Sequence, residues 1–286
     1  MLRKTFCLSV LLFVLMPLSG CSGFLFYPTK DWQFDPQEHG YDYQNISIEA
    51  SDGILLNAWL MPHRTDKKAG AVIFFHGNAQ NIGSHVAQVY WLTDAGYDVL
   101  LVDYRGFGHS QGKPNIHENM TDIATAIEYF FAQNQPDTDK YLLAQSLGAS
   151  MSGYVLATRP DLNKQFTAVA LDSGFAEYGR ITRDVLAKNW LTWSFQYPIS
   201  WTMPGQYDLL DVIDHISPTP LLIIHGRKDH IVNFSHAQDL FAKAGRPKSM
   251  LSFDGPHIGA FFDEENRQAL LRFYQKGVVK KSSGDQ

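Results

Sequence analysis

Ser146 stands at the centre of a short pattern, Ala-Gln-Ser-Leu-Gly, at residues 144–148. An apolar run precedes the pattern and small, helix-forming residues follow it, which predicts a strand that turns directly into a helix. Such a turn lifts one side chain above the sheet edge, and small residues two places before and after it let the backbones approach closely. The usual pattern is Gly-x-Ser-x-Gly, and Ala144 adds one methyl group at its first place. The segment therefore predicts an exposed serine nucleophile.

Two residues that could activate this serine follow it in the chain. Asp229 lies in the loop after the apolar run 221–224, and His257 lies in the loop after a second strand-like run, 250–253. A serine hydroxyl is a poor nucleophile at neutral pH, so His257 would take its proton during attack and return it to the leaving group. Asp229 would hold the imidazole in one tautomer and stabilise its charged form.

The third requirement is a pair of donors for the negative charge on the attacked carbonyl oxygen, each worth about 3 to 4 kcal/mol. Leu147 offers one backbone N–H at the start of the predicted helix, where the helix dipole also favours negative charge. The second donor should come from the loop after the buried-strand run 71–75. This loop begins His-Gly-Asn-Ala, similar to the His-Gly motif of lipases and esterases. The similarity implies that Asn78 supplies the second backbone N–H, with Ala79 as the alternative.

These segments occur in the chain order of the α/β-hydrolase superfamily, which the sequence resembles over residues 41–278. The order Ser, Asp, His differs from that of chymotrypsin-like and subtilisin-like proteases. The stretch Asp-Tyr-Arg-Gly-Phe-Gly at 103–108 resembles the branch of membrane-anchored bud-emergence-type hydrolases, abhydrolase-domain depalmitoylases and prolyl-oligopeptidase-like catalytic domains. The resemblance implies that Asp103 and Arg105 shape the site and take no part in catalysis.

A second aspartate competes with Asp229 for the role of the acid. Asp172 ends the apolar run 169–171, and some lipases of the superfamily take their acid from that earlier strand. We favour Asp229 because it follows a His-Gly pair in the usual acid loop.

The order of apolar runs predicts an α/β fold. Runs that alternate with helical patterns indicate a mostly parallel sheet with helices on both faces. Residues 46–48 and 54–61 flank a Ser-Asp-Gly turn and predict an antiparallel hairpin at the sheet edge. We expect one domain with an eight-stranded sheet over residues 41–278. The other predicted strands are 71–75, 98–102, 140–144, 167–172, 220–225 and 249–253.

Residues 174–207, between the sixth and seventh predicted strands, are the most distinctive insertion and predict a small helical cap over the site. The large apolar side chains of the insertion permit two interpretations. They line a pocket for an acyl or otherwise apolar substrate, or they bury the cap against the main domain. These residues are Phe175, Tyr178, Trp190, Leu191, Trp193, Phe195, Tyr197, Ile199, Trp201 and Met203.

The first twenty residues predict a targeting segment, with Arg3 and Lys4 before the apolar stretch 5–17. Leu-Ser-Gly-Cys, ending at Cys21, resembles the bacterial lipobox. This resemblance implies that 1–20 is a lipoprotein signal peptide, and that Cys21 carries a diacylglyceryl thioether and an N-acyl chain. The alternatives are an ordinary secretory signal and an uncleaved anchor.

A lipidated Cys21 implies a bacterial cell-envelope protein with a periplasmic catalytic domain. Ser22 follows Cys21, and the absence of Asp there favours the outer membrane in enteric-type sorting. Residues 21–40 are predicted to be the acylated tether, which packs on the domain or lies at the lipid surface. Residues 279–286 predict a disordered tail.

The composition of the chain limits the disulfides, partners and cofactors that we expect. Cys7 is the only other cysteine and lies in the predicted signal peptide, so the mature chain has no pair to oxidise. Without Arg3 and Lys4, 22 basic and 29 acidic side chains give a formal charge of −7, which disfavours nucleic acid as a partner. The eleven histidines show no His-x-x-x-His spacing, so we expect no metal and no cofactor.

Together these observations predict a lipid-anchored serine hydrolase that cleaves small-molecule carboxylic esters or thioesters through an acyl-enzyme. The first alternative is a serine peptidase of the prolyl-oligopeptidase-like type, since the triad chemistry is the same. The second is a non-catalytic binding module on the same scaffold, since a fold does not dictate activity. The sequence predicts no particular protein partner.

Overall fold

The apolar runs of the sequence form one eight-stranded sheet in the computed structural model, which describes residues 25–277. The strand order is β8-β7-β6-β5-β3-β4-β2-β1, and all neighbours are parallel except the pairs that β2 makes with β1 and β4. The predicted α/β-hydrolase fold with a mostly parallel sheet is confirmed. The strands are β1 (Gln44–Glu49), β2 (Leu55–Met61), β3 (Gly70–Phe75), β4 (Tyr97–Val102), β5 (Lys140–Gln145), β6 (Ala168–Asp172), β7 (Leu221–Gly226) and β8 (Lys248–Phe253).

Helices cover both faces of this sheet. Alternate residues of β3 enter two separate cores, Ile73 and Phe75 on one face and Val72 and Phe74 on the other. This alternation is the two-residue period of a strand, and it explains why the central strands are apolar throughout. The helices are α1 (Ile82–His85), α2 (Trp91–Asp94), α3 (Ile116–Gln133), α4 (Leu147–Thr158), α5 (Pro160–Asn163), α6 (Tyr178–Leu186), α7 (Gln196–Ser200), α8 (Leu209–Val212), α9 (Phe234–Lys243) and α10 (Glu264–Lys276).

The strand order reverses between β3 and β5. After β3 the chain adds β4 on one side, and β5 then pairs with β3 on the other side. Ligands of open α/β sheets bind in the crevice at the carboxyl ends of strands where the order reverses. In this chain the loop after β3 carries Asn78, and the turn after β5 carries Ser146.

The chain before the sheet packs against the loop that follows β3. Tyr27–Pro28 pairs in parallel with Ala79–Gln80, and Phe26 is buried against Phe107. Residues 1–24 and 278–286 lie outside the described residues, and with them the predicted signal peptide, Cys21 and the tail 279–286. Within residues 25–277, no helix is long and apolar enough to cross a membrane.

The loop after β4 is held in place by the buried guanidinium group of Arg105. Arg105, only 4% exposed, donates to both carboxylate oxygens of Asp122 at 2.5 and 2.6 Å, and also to Glu118 at 2.6 Å. Burial raises the pKa of Asp122, and Arg105 opposes that shift. In the same loop, Asp103 Oδ1 accepts the N–H of Ile82 at 2.9 Å, where α1 begins. These contacts fix the loop that borders the end of β3.

Replacing Arg105 by Met should therefore lower the free energy of unfolding by about 3–5 kcal/mol, because Asp122 would remain buried without its cation. The matched variant is Arg159→Met, whose guanidinium pairs with Glu128 and Asp161 at the surface and should contribute less than about 1 kcal/mol. Urea unfolding followed by circular dichroism measures both changes. Similar losses in the two variants would contradict this account of Arg105.

Candidate active site

Ser146 lies in a strained turn between β5 and α4. Its φ of 53° and ψ of −120° are unusual for a residue with a side chain. The turn is tight because α4 begins against the end of β3. A Cβ at Gly148 would lie 2.4 Å from the His76 carbonyl oxygen and 2.6 Å from that of Phe75. Glycine is therefore required there, and the backbone can present the Ser146 side chain above the sheet edge.

His257 lies between the serine and an aspartate. Its Nε2 is 2.9 Å from Ser146 Oγ, and its Nδ1 is 2.6 Å from Asp229 Oδ2. The other Asp229 oxygen accepts the N–H groups of Ile231 at 2.7 Å and Val232 at 2.9 Å. An ionised aspartate accepts hydrogen bonds only, so Nδ1 carries the proton and Nε2 is free to accept from the serine hydroxyl.

The electrostatics of Asp229 agree with this tautomer. Burial by itself would raise the pKa of the Asp229 carboxyl. Hydrogen bonds from His225 and His257, and from the N–H of Ile231, outweigh burial and hold this pKa well below its usual range. The carboxylate therefore stays ionised at neutral pH, next to the ring of His257.

Asp172, the alternative acid, is hydrogen-bonded to other groups. It is fully buried at the end of β6, and burial raises its pKa. Its oxygens accept from Gln145 Nε2 at 2.9 Å and from Ser173 Oγ at 2.9 Å. Ser173 Oγ in turn accepts the N–H of Ile258 at 3.1 Å, so Asp172 is linked to the histidine loop through the Ser173 hydroxyl.

The two residues predicted to supply backbone donors for an oxyanion line the same cavity. Asn78 and Leu147 line it together with Ser146 and His257. A Cβ at Gly77 would lie 3.5 Å from Ser146 Cβ, so the loop after β3 approaches the serine closely. Leu147 is the first residue of α4, where the N–H has no partner within the helix.

The N-terminal chain fixes the position of that loop. Asn78 Nδ2 donates to the Leu25 carbonyl at 3.0 Å, and the Tyr27 N–H donates to the Asn78 carbonyl at 2.9 Å. The pattern of the sequence did not predict this contact, because two-residue strands have no measurable periodicity. Of the two alternatives that the apolar tether left open, its described residues Leu25 and Tyr27 pack on the domain.

Known proteins share this architecture. The Hydrolase_4 family, whose description is "Serine aminopeptidase, S33", matches residues 66–204. The uncharacterised protein YfhR of Escherichia coli K12 is 30% identical over 280 residues, which covers 92% of this chain and 93% of YfhR. The chain belongs to the Hydrolase_4 family of α/β hydrolases.

A more distant sequence relative and a solved structure are also similar to this α/β hydrolase. Protein bem46 of Schizosaccharomyces pombe is 26% identical over 220 residues, covering 74% of this chain and 69% of bem46. The esterase Pf2001 of Pyrococcus furiosus superposes with a TM-score of 0.71 at 19% identity, over 90% of this chain and 99% of the esterase. At that identity the esterase shows the fold alone.

No sequence pattern singled out His85, a further side chain that lines the cavity of the hydrolase. Burial, with the nearby His76 as a second cause, lowers its pKa to about 3. His85 is therefore neutral at neutral pH. Its Nε2 lies 3.1 Å from the Ala79 carbonyl, which accepts a hydrogen bond from the N–H form of that nitrogen. This contact orients the peptide that follows Ala79.

The cavity has a volume of about 380 Å³, and its walls are mostly apolar. Phe175, Ile181 and Leu186 of the cap segment contribute to it. Aspartate, glutamate, lysine and arginine are absent from the residues that line it in the described chain. Across residues 25–277, no group of three His, Cys, Asp or Glu side chains could hold a metal ion.

Both sequence interpretations of the cap's large side chains are wrong for most of them. Phe175 lines the cavity, and Tyr178 and Met203 are buried. Six others neither line the cavity nor pack against the main domain, because the cap folds with these side chains turned outward. The six exposed residues are Trp190, Leu191, Trp193, Phe195, Tyr197 and Trp201.

The contacts of the two aspartates predict different effects of mutation. Asp229→Asn should lower kcat by about 10⁴, because an amide in that place favours the wrong tautomer of His257. Asp172→Asn keeps a hydrogen-bonding side chain that does not contact the imidazole, and should lower kcat far less. Turnover of a soluble ester by both variants, matched for thermal stability, measures the difference. A larger loss in Asp172→Asn would transfer the role of acid to Asp172.

Proposed function

We propose that this protein is a lipid-anchored serine hydrolase that cleaves carboxylic esters or thioesters through an acyl-enzyme. The observation that carries the proposal is the imidazole of His257, 2.9 Å from Ser146 Oγ and 2.6 Å from Asp229 Oδ2, beside an apolar cavity. Three groups with these separations have the geometry that nucleophilic catalysis requires.

The reaction would begin when Ser146 Oγ attacks the acyl carbonyl carbon and His257 Nε2 accepts the hydroxyl proton. The N–H groups of Asn78 and Leu147 would hold the oxyanion of the tetrahedral intermediate. As the intermediate collapses, the bond to the leaving group breaks and His257 gives that group its proton. A water molecule then repeats the attack on the acyl-enzyme, which releases the carboxylic acid and restores Ser146.

The lining of the cavity favours an acyl substrate over a peptide with a free amino terminus. Peptidase activity is the second candidate because the family carries the description of a serine aminopeptidase. A free α-ammonium group needs a negative partner when it leaves water. The described residues that line the cavity include no acidic side chain. A non-catalytic binding module has less support, because it would not need the hydrogen bonds that join the three side chains.

The lipid anchor is proposed from the sequence, since Leu-Ser-Gly precedes Cys21 after an apolar segment. It would place the enzyme in the bacterial cell envelope with its catalytic domain in the periplasm, at the outer membrane in preference to the inner. Leu25, four residues after Cys21, lines the same cavity as Ser146. The anchor would therefore lie close to the active site.

Ser146→Ala should abolish labelling by a fluorophosphonate probe and reduce ester hydrolysis to the rate that binding and the oxyanion donors support alone. The matched control is Ser194→Ala, which removes the hydroxyl of an exposed serine outside the cavity and should label normally. A panel of acyl esters, thioesters and peptides with free amino termini then distinguishes esterase from peptidase. Labelling of Ser146→Ala at the wild-type rate would refute the assignment of the nucleophile.

Cys21→Ser should yield an uncleaved precursor without acyl mass, because the sulfur that accepts the diacylglyceryl group is gone. Cys7→Ser changes the only other cysteine and should leave processing and lipid mass unchanged. Intact mass spectrometry of membrane fractions compares the three proteins. A wild-type protein that carries no acyl mass would remove the anchor from the proposal.

A further inference from the structure

The cap carries a surface of large apolar side chains that face solvent. We define the cap surface as Trp190, Leu191, Trp193, Phe195, Tyr197 and Trp201, which are between 55% and 83% exposed. Exposed apolar patches of this kind are uncommon on soluble monomers and mark interaction sites.

The segment that contains the cap surface has no charge. Residues 189–207 contain no Asp, Glu, Lys, Arg or His, although 19% of the whole chain is charged. Three of the six tryptophans of the chain lie in this short segment. Tryptophan and tyrosine concentrate where a bilayer meets water, because their rings are apolar and their N–H or O–H groups remain hydrated.

The cap surface begins close to a residue that lines the cavity. Val185, Ile231 and Tyr27 line the cavity and are also exposed, so apolar side chains of the cavity reach solvent. Lys188, which lies between Val185 and Trp190 in the chain, donates hydrogen bonds to the carbonyls of His230 and Ile231. These hydrogen bonds connect the chain just before the cap surface to the loop that contains Asp229.

The described chain begins beside the same cavity. Leu25 lines the cavity and is held by Asn78. Four residues span at most about 14 Å, so Cys21 cannot lie farther than that from Leu25. This step rests on the proposed anchor, since an acylated Cys21 would keep the rim of the cavity within reach of a bilayer.

We propose that the cap surface docks on a lipid bilayer and that the cavity takes its acyl substrate from that bilayer. The substrate class is then an ester or thioester whose acyl chain resides in a membrane. The formal charge of −7 for the chain after Cys21 processing gives no attraction to anionic lipid. Docking should therefore rely on apolar contact, occur on neutral phosphatidylcholine and persist at high salt.

Tryptophan fluorescence tests the docking directly. The full lipidated protein is reconstituted into phosphatidylcholine vesicles with and without bromine on the acyl chains. Bromine should quench about half of the wild-type emission, because three of six tryptophans would lie in the interface. A variant with Trp190→Phe, Trp193→Phe and Trp201→Phe keeps only the tryptophans of the main domain, and its emission should not change.

Equal fractional quenching of the wild type and this variant, or no quenching of either, would overturn the proposal. Another occupant of the cap surface leads to the second result. If a second copy of the chain covers it, the protein sediments as a dimer in detergent, and a variant with Trp190→Ser, Trp193→Ser and Trp201→Ser sediments as a monomer.

A kinetic comparison tests delivery of the substrate. Trp190→Ser, Trp193→Ser and Trp201→Ser together should slow hydrolysis of a vesicle-embedded long-chain ester about tenfold or more, because apolar contact with the bilayer is lost. Hydrolysis of a water-soluble acetyl ester should not change, since these side chains do not line the cavity. Phe262→Ser removes a side chain that is 71% exposed outside the cap and should affect neither substrate.

The results separate this proposal from the proposed function. Quenching without fluorophosphonate labelling would support the docking proposal and contradict the proposed enzymatic function. Labelling without quenching would support the enzymatic function and contradict the docking proposal. Vesicle-embedded and soluble esters that slow equally in the triple Ser variant would also reject it.

Discussion

The close approach of α4 to the end of β3 is the constraint on which the rest of the site depends. Gly148 has no space for a Cβ beside the carbonyls of Phe75 and His76. The chain must therefore turn at Ser146 in a conformation that costs about 1–3 kcal/mol for a residue with a side chain. The same approach brings the loop of Asn78 to the serine and leaves the Leu147 N–H at the open end of a helix.

The backbone is also strained at Ser173 and in the loop of His257. Ser173 and Ile258 have φ values of 55° and 47°, and Ile258 is β-branched, for which this region is especially unfavourable. The two residues are joined because Ser173 Oγ accepts the Ile258 N–H and donates to the buried Asp172. We interpret Asp172 as a group that holds the loop of His257 in place. Backbone strain of this kind persists only where surrounding contacts determine it, and it clusters at functional sites.

The N-terminal chain and the cap enclose the cavity from two sides. Leu25 and Tyr27 reach it through their contacts with Asn78, and Ile181 and Val185 reach it from α6. A cavity with apolar walls and few polar groups suits an acyl chain, because burial of methylene groups is favourable and no charge has to lose its hydration. The exposed side chains of the cap continue this apolar character beyond the opening.

Much of this architecture could be predicted from local sequence patterns. The sheet strands and the turn at Ser146 depend on short-range features, such as apolar runs and glycines at fixed offsets, which survive in one sequence. The chain order of Ser146, Asp229 and His257 suggested that they meet, and the structure brings their side chains within hydrogen-bonding distance.

Contacts between distant parts of the chain were decided by the tertiary structure alone. No pattern placed His85 against the Ala79 carbonyl or paired Tyr27–Pro28 with Ala79–Gln80. The sequence also could not predict that Trp190 faces solvent. A buried ring and an exposed ring have the same sequence pattern. Composition determines that a side chain is apolar, whereas only the packing of the whole chain determines whether water, protein or lipid lies against it.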